Sequence, residues 1–301
     1  MNFNQLKYFI SIAETNSVTQ SAEDLHLSQP ALSRGIRQLE EELGVELFQR
    51  LPRAMRLTRY GESFLKHAQS VFVQLSDAQA ELKHLSERIE DEIVIGAGPS
   101  WIGGCLPDIV GQLSRSYPGV SVKVHSGYDQ QLTLMLRQGA LDFILTEISS
   151  DPDRNDLLQE PLIHCPYVVV SRSAHPLAQE TNIPLERLLG FSWAMPYLAM
   201  SAQDRLIGLF QSQNLPAPAP LFQSTSFGFI MRLLETSDAL SFVVSSSLKT
   251  VRSESVVALN LAQDMPVRHA GIVRRPSAWL SPATETMMEM LRAHCEQHPT
   301  Q

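Results

Sequence analysis

Cysteine is scarce: Cys105, Cys165 and Cys295 are the only three in 301 residues, and none lies at a zinc-ligand or dithiol spacing from another. A disulfide framework is thereby excluded, and an odd count in a cytoplasmic chain points to buried or inert thiols. Long apolar runs are also missing. No stretch approaches the roughly 20 residues of a membrane-spanning helix, and the polar-mixed start from Met1 to Phe9 lacks a secretory pattern, so a cytoplasmic protein is expected. Catalytic signatures fail in turn. Gly96 and Gly98 follow an apolar run, but Trp101 stands where a dinucleotide fingerprint needs glycine, and no serine occupies a nucleophile-elbow sequence. His294, Cys295 and His298 crowd the carboxyl tail, where a frayed, solvated end is expected rather than a metal site. The chain is therefore read as a non-enzyme, with no catalytic residue, cofactor or metal. Net positive charge is lacking as well: the total is -8, which taken alone argues against a nucleic-acid partner.

What is present begins with Leu27 to Gly44. Leu32, Ile36, Leu39 and Leu43 recur at the three-and-four spacing of a buried helical stripe, while Gln29, Ser33 and Arg37 stand four apart on the opposite side. Ser28 is placed to cap this helix, and Pro30 falls in the first turn, where a missing N–H costs little. Gln, Ser and Arg are types that hydrogen-bond base edges in a major groove, although any amphipathic helix shows a polar face to solvent. The preceding segment decides between these readings. Leu6, Phe9, Ile10 and Ala13 mark one short helix and Val18, Ala22 and Leu25 a second, so three helices with a tight turn before the last spell helix-turn-helix.

Beyond Gly44, Leu47 and Phe48 lead into Arg50, Pro52, Arg53, Arg56 and Arg59, with no acid between Gln49 and Tyr60. This basic wing is suited to neutralise phosphates. The first sixty residues balance to about zero, seven basic against seven acidic, so the negative excess belongs to the remainder.

On these residues the amino-terminal module resembles the winged helix-turn-helix of the LysR-type transcriptional regulators. The matching phrases are Leu6 to Phe9, Ser17 to Ala22, Ser28 to Ser33, Ile36 to Leu39, Leu47-Phe48, Arg50, and Leu57-Thr58 with Gly61. The resemblance implies that Gln29, Pro30 and Ser33 approach bases, while Arg34, Arg37, Arg53 and Arg56 grip backbone or groove. Ala54 departs from it, standing where the family often places a wing-tip glycine.

Phe64, Ala68, Val71, Leu75, Ala78, Leu82 and Leu85 alternate steps of four and three, the seam of a coiled coil. A single domain could bury that stripe itself, but its position between two modules favours pairing with a second chain. A continuous helix from Arg59 to Arg88 would extend about 45 Å. The resemblance implies antiparallel pairing of this helix in a homodimer, and tetramers built from dimers.

After Glu90-Asp91-Glu92 the pattern alternates. Ile93 to Ala97, Val120 to His125 and Leu141 to Thr146 read as strands, with helices running to about Ser116 and to Gln138 between them. A second set holds strands at Tyr167 to Ser171, Phe191 to Met195 and Ser241 to Ser245, and helices at Ala202 to Gln213 and Phe227 to Glu235. Val267 to Arg274 is a strand that can return to the first set. The alternation implies a parallel sheet with crossover helices, in two lobes joined twice. Ile95-Gly96, Leu106-Pro107, Tyr117 to Val120, Gly139 with Leu141-Asp142, Glu160 to Leu162, His175 to Leu177 and Gly271-Ile272 resemble the LysR-type effector-binding domain, itself similar to periplasmic solute-binding proteins. The segment from Ala239 to Ser246 departs from that pattern, lacking a glycine pair and a following proline.

Ligands of open α/β sheets collect beyond the carboxyl ends of strands. Ser100, Trp101, Thr146, Tyr197, Thr225, Ser226 and Phe227 occupy such places, the hydroxyls for a polar head and the aromatics for a flat or apolar body. A helix start near Ser100 leans towards an anionic metabolite.

The expected architecture is an α+β winged helix-turn-helix at residues 1–60, a dimerisation helix at 61–90 and a two-lobed, periplasmic-binding-protein-like α/β effector domain at 91–301. Lobe 1 comprises about 91–162 and 268–301, lobe 2 about 163–267. The expected function is a sequence-specific transcriptional regulator of double-stranded promoter DNA, controlled by a small-molecule effector between the lobes. Contact with RNA polymerase is compatible with that role. The competing reading is a solute-binding protein or enzyme of the same architecture whose first ninety residues only bind protein.

Overall fold

The computed structural model describes residues 1–51, 54–86, 92–149, 154–197, 199–248 and 255–298, apart from the side chains of Arg50, Lys83 and Ser86. They form two compact units, Met1–Ala80 and Glu81–Gln301.

In the first unit α1 (Phe3–Thr15) opens on a reciprocal cap. The Gln5 amide donates to Asn2 Oδ1 at 3.0 Å, and the Asn2 amide donates to Gln5 Oε1 at 2.7 Å. Ser17 caps α2 (Val18–Asp24), and Ser28 caps α3 (Gln29–Leu43), which ends on Gly44 at φ 70°, a left-handed position that suits glycine. Strands β1 (Phe48–Leu51) and β2 (Ala54–Leu57) pair antiparallel, Leu51 opposite Ala54. Ala54 therefore sits in a strand and has no positive φ, so the missing wing-tip glycine does not strain that position. Helix α4 (Arg59–Ser86) follows; the expected continuation to Arg88 lies outside the described residues.

Leu6, Phe9, Ile12, Leu32, Ile36, Leu39, Leu47 and Phe48 make the core of this unit. Two expectations change here. Leu43 is 37% exposed, because the stripe leaves the core in the last turn of α3. At the start of the expected seam, Ala68 is buried in this core and Phe64 packs partly against it, its ring 5.2 Å from that of Phe9. Val71, Leu75, Ala78, Leu82 and Leu85 remain exposed.

The second unit begins with β3 (Glu92–Ala97). The expected helix to Ser116 is two pieces, the single turn α5 (Pro99–Ile102) and α6 (Leu106–Ser116), separated at Gly103-Gly104. Then come β4 (Ser121–Ser126), α7 (Asp129–Arg137), β5 (Phe143–Glu147) and β6 (Leu158–Arg172). After a 3-10 turn at Leu185–Gly190 the chain continues through β7 (Trp193–Pro196), α8 (Met200–Ser212), β8 (Pro220–Ser224) and α9 (Phe227–Glu235). It closes with β9 (Ser241–Val244), α10 (Ser245–Leu248), β10 (Val256–Ala258), β11 (Val267–Arg274) and α11 (Pro282–Gln297).

The main sheet is mixed rather than parallel. Its order is β10-β6-β11-β5-β3-β4, with β9 also on β6. Only β3–β4 and β3–β5 are parallel; β5–β11, β6–β11, β6–β10 and β6–β9 are antiparallel. The carboxyl half of β6 was expected from Tyr167, but its first half carries Pro161 and Pro166, which cannot donate to a ladder and so hide the strand in the sequence. Opposite it, a register shift between Ala270 and Gly271 brings the two backbones together. A Cβ on Gly271 would stand 1.9 Å from the Glu160 carbonyl oxygen, so only glycine fits.

One half of β6 thus belongs to each lobe. Ile93, Ile95, Phe143, Ile163 and Ile272 anchor the first core, and Tyr167, Val169, Trp193, Phe210 and Phe242 the second. The segment that holds His294 and Cys295 is not frayed: α11 is capped by Ser281 and packs Met287, Leu291 and Cys295 into the first core.

Candidate functional site

Helix α3 separates its residues as amphipathic spacing requires. Leu32, Ile36 and Leu39 are buried, Ser28, Gln29, Pro30, Arg34 and Arg37 are exposed, and Ser33 is half-buried. The helix opens on Ser28, whose Oγ accepts the Ala31 amide at 3.4 Å, and Gln29 and Pro30 of its first turn are exposed. At the other end Glu40 Oε1 accepts the amides of Leu47 at 2.8 Å and Phe48 at 3.1 Å, which fixes β1 against the helix. The β2 edge is tied by the Met55 amide donating to the Asn16 carbonyl at 2.9 Å. Arg56 lies on β2. The Arg50 side chain and Arg53 lie outside the described residues.

In the second unit a cleft of roughly 570 Å³, open to solvent, lies between the lobes where β3, β5, α8, α9 and β9 meet. Of the expected lining residues, Ser100, Thr146 and Phe227 face it. Trp101 does not: it is 2% exposed, in the first core, because residues one apart on the one-turn α5 project about 100° from each other, and that turn aims Trp101 inward. Tyr197, 58% exposed, and Thr225 and Ser226 lie outside the lining. Ser226 instead caps α9, accepting the Phe229 amide at 3.2 Å.

Three charged side chains, Asp129, Glu147 and Arg268, line the cleft, and a fourth, Arg205, pairs with Glu147 from beside it. Glu147, at the end of β5, is 5% exposed and pairs with Arg205 of α8, while the Tyr167 hydroxyl donates to its Oε2 at 3.2 Å. Asp129, the first residue of α7, accepts the Thr146 hydroxyl on Oδ1 and the Ser201 hydroxyl on Oδ2, the latter at 3.2 Å. Arg268, at the start of β11, donates to Ser100 Oγ at 3.1 Å. Arg205, Ser201 and Tyr167 belong to the second lobe and Glu147 and Asp129 to the first, so three polar contacts span the cleft.

Burial governs the titration of the phenols. It pushes Tyr128 up to about 12, and it raises Tyr167 further, assisted by the negative charge of Glu147. Both are neutral donors near neutrality. Burial pulls the Arg205 guanidinium down, but the hydrogen bond and charge of Glu147 more than offset it, holding Arg205 above its ordinary value. Cys105 and Cys295 stand apart from this cleft, in the first core: burial raises Cys105 to about 11 and Cys295 to about 12, which keeps these two as unreactive thiols.

Asp129, Glu147, Arg205, Tyr128, Tyr167 and Arg268 were not singled out in the sequence. The strand-end rule reached Thr146 and stopped one residue short of Glu147; the others lie at a helix start, inside a helix or within the two antiparallel strands. Among the described residues no group of three or more His, Cys, Asp or Glu is placed to hold a metal, and no helix is long and apolar enough to cross a membrane.

Residues 3–62 match the family model described as bacterial regulatory helix-turn-helix protein, lysR family, and residues 86–296 match the LysR substrate binding domain. The chain is 28% identical over 289 residues to the HTH-type transcriptional regulator GalR of Pseudomonas putida, covering 96% of this chain and 72% of that one. Its fold is similar to full-length OxyR of Pseudomonas aeruginosa, with a TM-score of 0.64, 24% identity, and coverage of 97% and 95%. It is also similar to full-length CbnR complexed with its target DNA, with a TM-score of 0.53, 21% identity, and coverage of 98% and 100%.

Proposed function

Because the chain belongs to the LysR family of bacterial regulatory helix-turn-helix proteins, we propose that the outer face of α3 reads promoter DNA and that the interlobe cleft receives the controlling ligand. The protein is a DNA-binding transcriptional regulator with an effector-binding domain. Within it, Gln29, Pro30 and Ser33 face bases, and Ser28, Arg34, Arg37, Arg50, Arg53 and Arg56 hold phosphates or groove edges. The division of labour is residues 1–60 for DNA, 61–90 for dimerisation and 91–301 for the effector. The exposed stripe Val71, Leu75, Ala78, Leu82 and Leu85 pairs with a second copy, and dimers associate into tetramers, so that several reading helices engage one promoter. The protein works in the cytoplasm and catalyses no reaction. The effector site comprises Ser100, Thr146 and Phe227 together with Tyr128, Asp129, Glu147 and Arg268.

The observation that carries this reading is the polar face of α3, exposed above a buried apolar one. Its test is a gel-shift titration on the upstream intergenic DNA at two salt concentrations. Neutralising several phosphates makes affinity fall steeply with salt, whereas retardation that ignores salt rejects the reading. Control by the effector follows from unequal affinity for two lobe arrangements, the Glu147–Arg205 and Asp129–Ser201 contacts being stronger in one of them.

A further inference from the structure

We propose that the cleft selects a small zwitterion, a molecule with one carboxylate and one protonated amine on a compact apolar body. The proposal rests on the cleft being the effector site and names the class of compound it takes. Of the four charges around the cleft, Glu147 and Arg205 satisfy each other. The other two are left over. Arg268 donates to the Ser100 hydroxyl, its Nε is buried without a partner, and among the described residues no carboxylate pairs with it. Asp129 accepts two hydroxyls and, at 3.4 Å, the Glu147 amide, and among the described residues no cation pairs with it. Tyr128, also in the lining, carries a buried hydroxyl without a partner among the described residues.

A half-buried guanidinium whose side-chain acceptor among the described residues is a neutral hydroxyl is incomplete, and its planar fork fits a carboxylate, with Ser100 beside it. A carboxylate fed only by neutral donors is incomplete in the opposite sense and accepts an ammonium group. A dianion would meet Asp129 and Glu147, and a simple amine would leave Arg268 uncompensated. Phe227, Phe242, Val243, Val244 and Pro196 complete the wall and set the apolar body. The helix start near Ser100 adds little preference for an anion, because α5 is a single turn with little dipole to offer.

The test uses the full chain and calorimetric titration with the proteinogenic amino acids. Leucine and phenylalanine are each matched to the deaminated acid (isocaproate, hydrocinnamate) and to the decarboxylated amine (isopentylamine, phenethylamine). At least one amino acid should bind, with each matched single-charge analogue weaker by about tenfold or more. Asp129→Asn should bring the amino acid and its deaminated acid to within about threefold of each other, and Arg268→Gln should weaken both by about tenfold or more. A deaminated acid that binds as tightly as its parent, or silence across all the amino acids, overturns the zwitterion. Simple acids or dicarboxylates that bind and depend on Arg268 would leave the cleft as effector site. A compound that alters DNA retardation equally in wild type, Asp129→Asn and Arg268→Gln would remove the cleft itself. Thermal melting of both variants confirms that they fold.

Discussion

The outer face of α3 and the interlobe cleft place polar side chains in opposite surroundings. On α3 they stand in water on a scaffold held from behind by Leu32, Ile36 and Leu39, and they owe the fold almost nothing. In the cleft, Glu147 and Thr146 are buried, and each is held by a partner from another element. Reading DNA needs side chains free to meet a partner already charged and hydrated; capturing a small molecule needs side chains whose water has been removed beforehand. One site can therefore be altered without cost to stability, and the other cannot.

The sharpest way to break this contrast is within α3. Ile36→Ala should destabilise the first unit by about 2–4 kcal/mol in denaturant unfolding and take DNA binding with it. Arg37→Ala, one position on, should leave stability within about 0.5 kcal/mol while weakening retardation of the target DNA by about tenfold. If the two variants fail together in both assays, the helix has no separable outer face.

In the cleft the expected cost is intermediate. Arg205→Ala leaves the buried Glu147 carboxylate without its cation and should cost about 2 kcal/mol in urea unfolding, a value reduced because Arg205 is itself 34% exposed. A neutral outcome would mean that the pair does not bridge the lobes in solution.

Ser33→Ala sharpens the comparison further, since its effect should appear in discrimination between target and scrambled DNA, by about 1 kcal/mol, and not in melting. Arg56→Ala should weaken both DNAs similarly and lower the slope of log affinity against log salt by about 1. Binding assays on paired DNAs measure both.

The smallest effect belongs to a surface pair. Arg292 donates to Glu160 at 2.7 and 2.9 Å, and that hydrogen bonding, against some desolvation, holds the carboxyl below its usual range. A depressed carboxylate stabilises the fold above its unfolded value, and the contribution fades as pH falls through the folded one. With both side chains over a third exposed, Glu160→Gln should lower stability by under about 1 kcal/mol at neutral pH and by nothing in acid, as melting at the two pH values would show.

The same contrast explains what could be read in advance. The outline of α3 lies within sixteen residues of chain from Ser28 to Leu43, so local periodicity and a cap suffice to place the helix and its two faces, and the two short helices before it suggest its role. The cleft has no local code: Asp129, Glu147, Arg205 and Arg268 come from four elements, α7, β5, α8 and β11, far apart in the chain, and meet only in the folded domain. Ser100 was found and Trp101 misplaced because a single helical turn shows no period. The prolines in β6 concealed half of the longest strand, and with it the mixed character of the sheet. Phe64 and Ala68 continue the spacing of the α4 stripe without a break, and nothing in that spacing marks where core ends and exposed surface begins.

β6 hydrogen-bonds to β11 along Leu158 to Pro166 and to β9 and β10 along Tyr167 to Arg172. Neither lobe can consequently be cut out as a contiguous fragment, since severing this ribbon would deprive both halves of the main sheet of an interior member at once. Heating should melt the pair in one cooperative step. New termini or an inserted reporter should be tolerated at the proline-containing connection from Asn214 to Ala219, outside any helix or strand, and rejected anywhere along the shared ribbon.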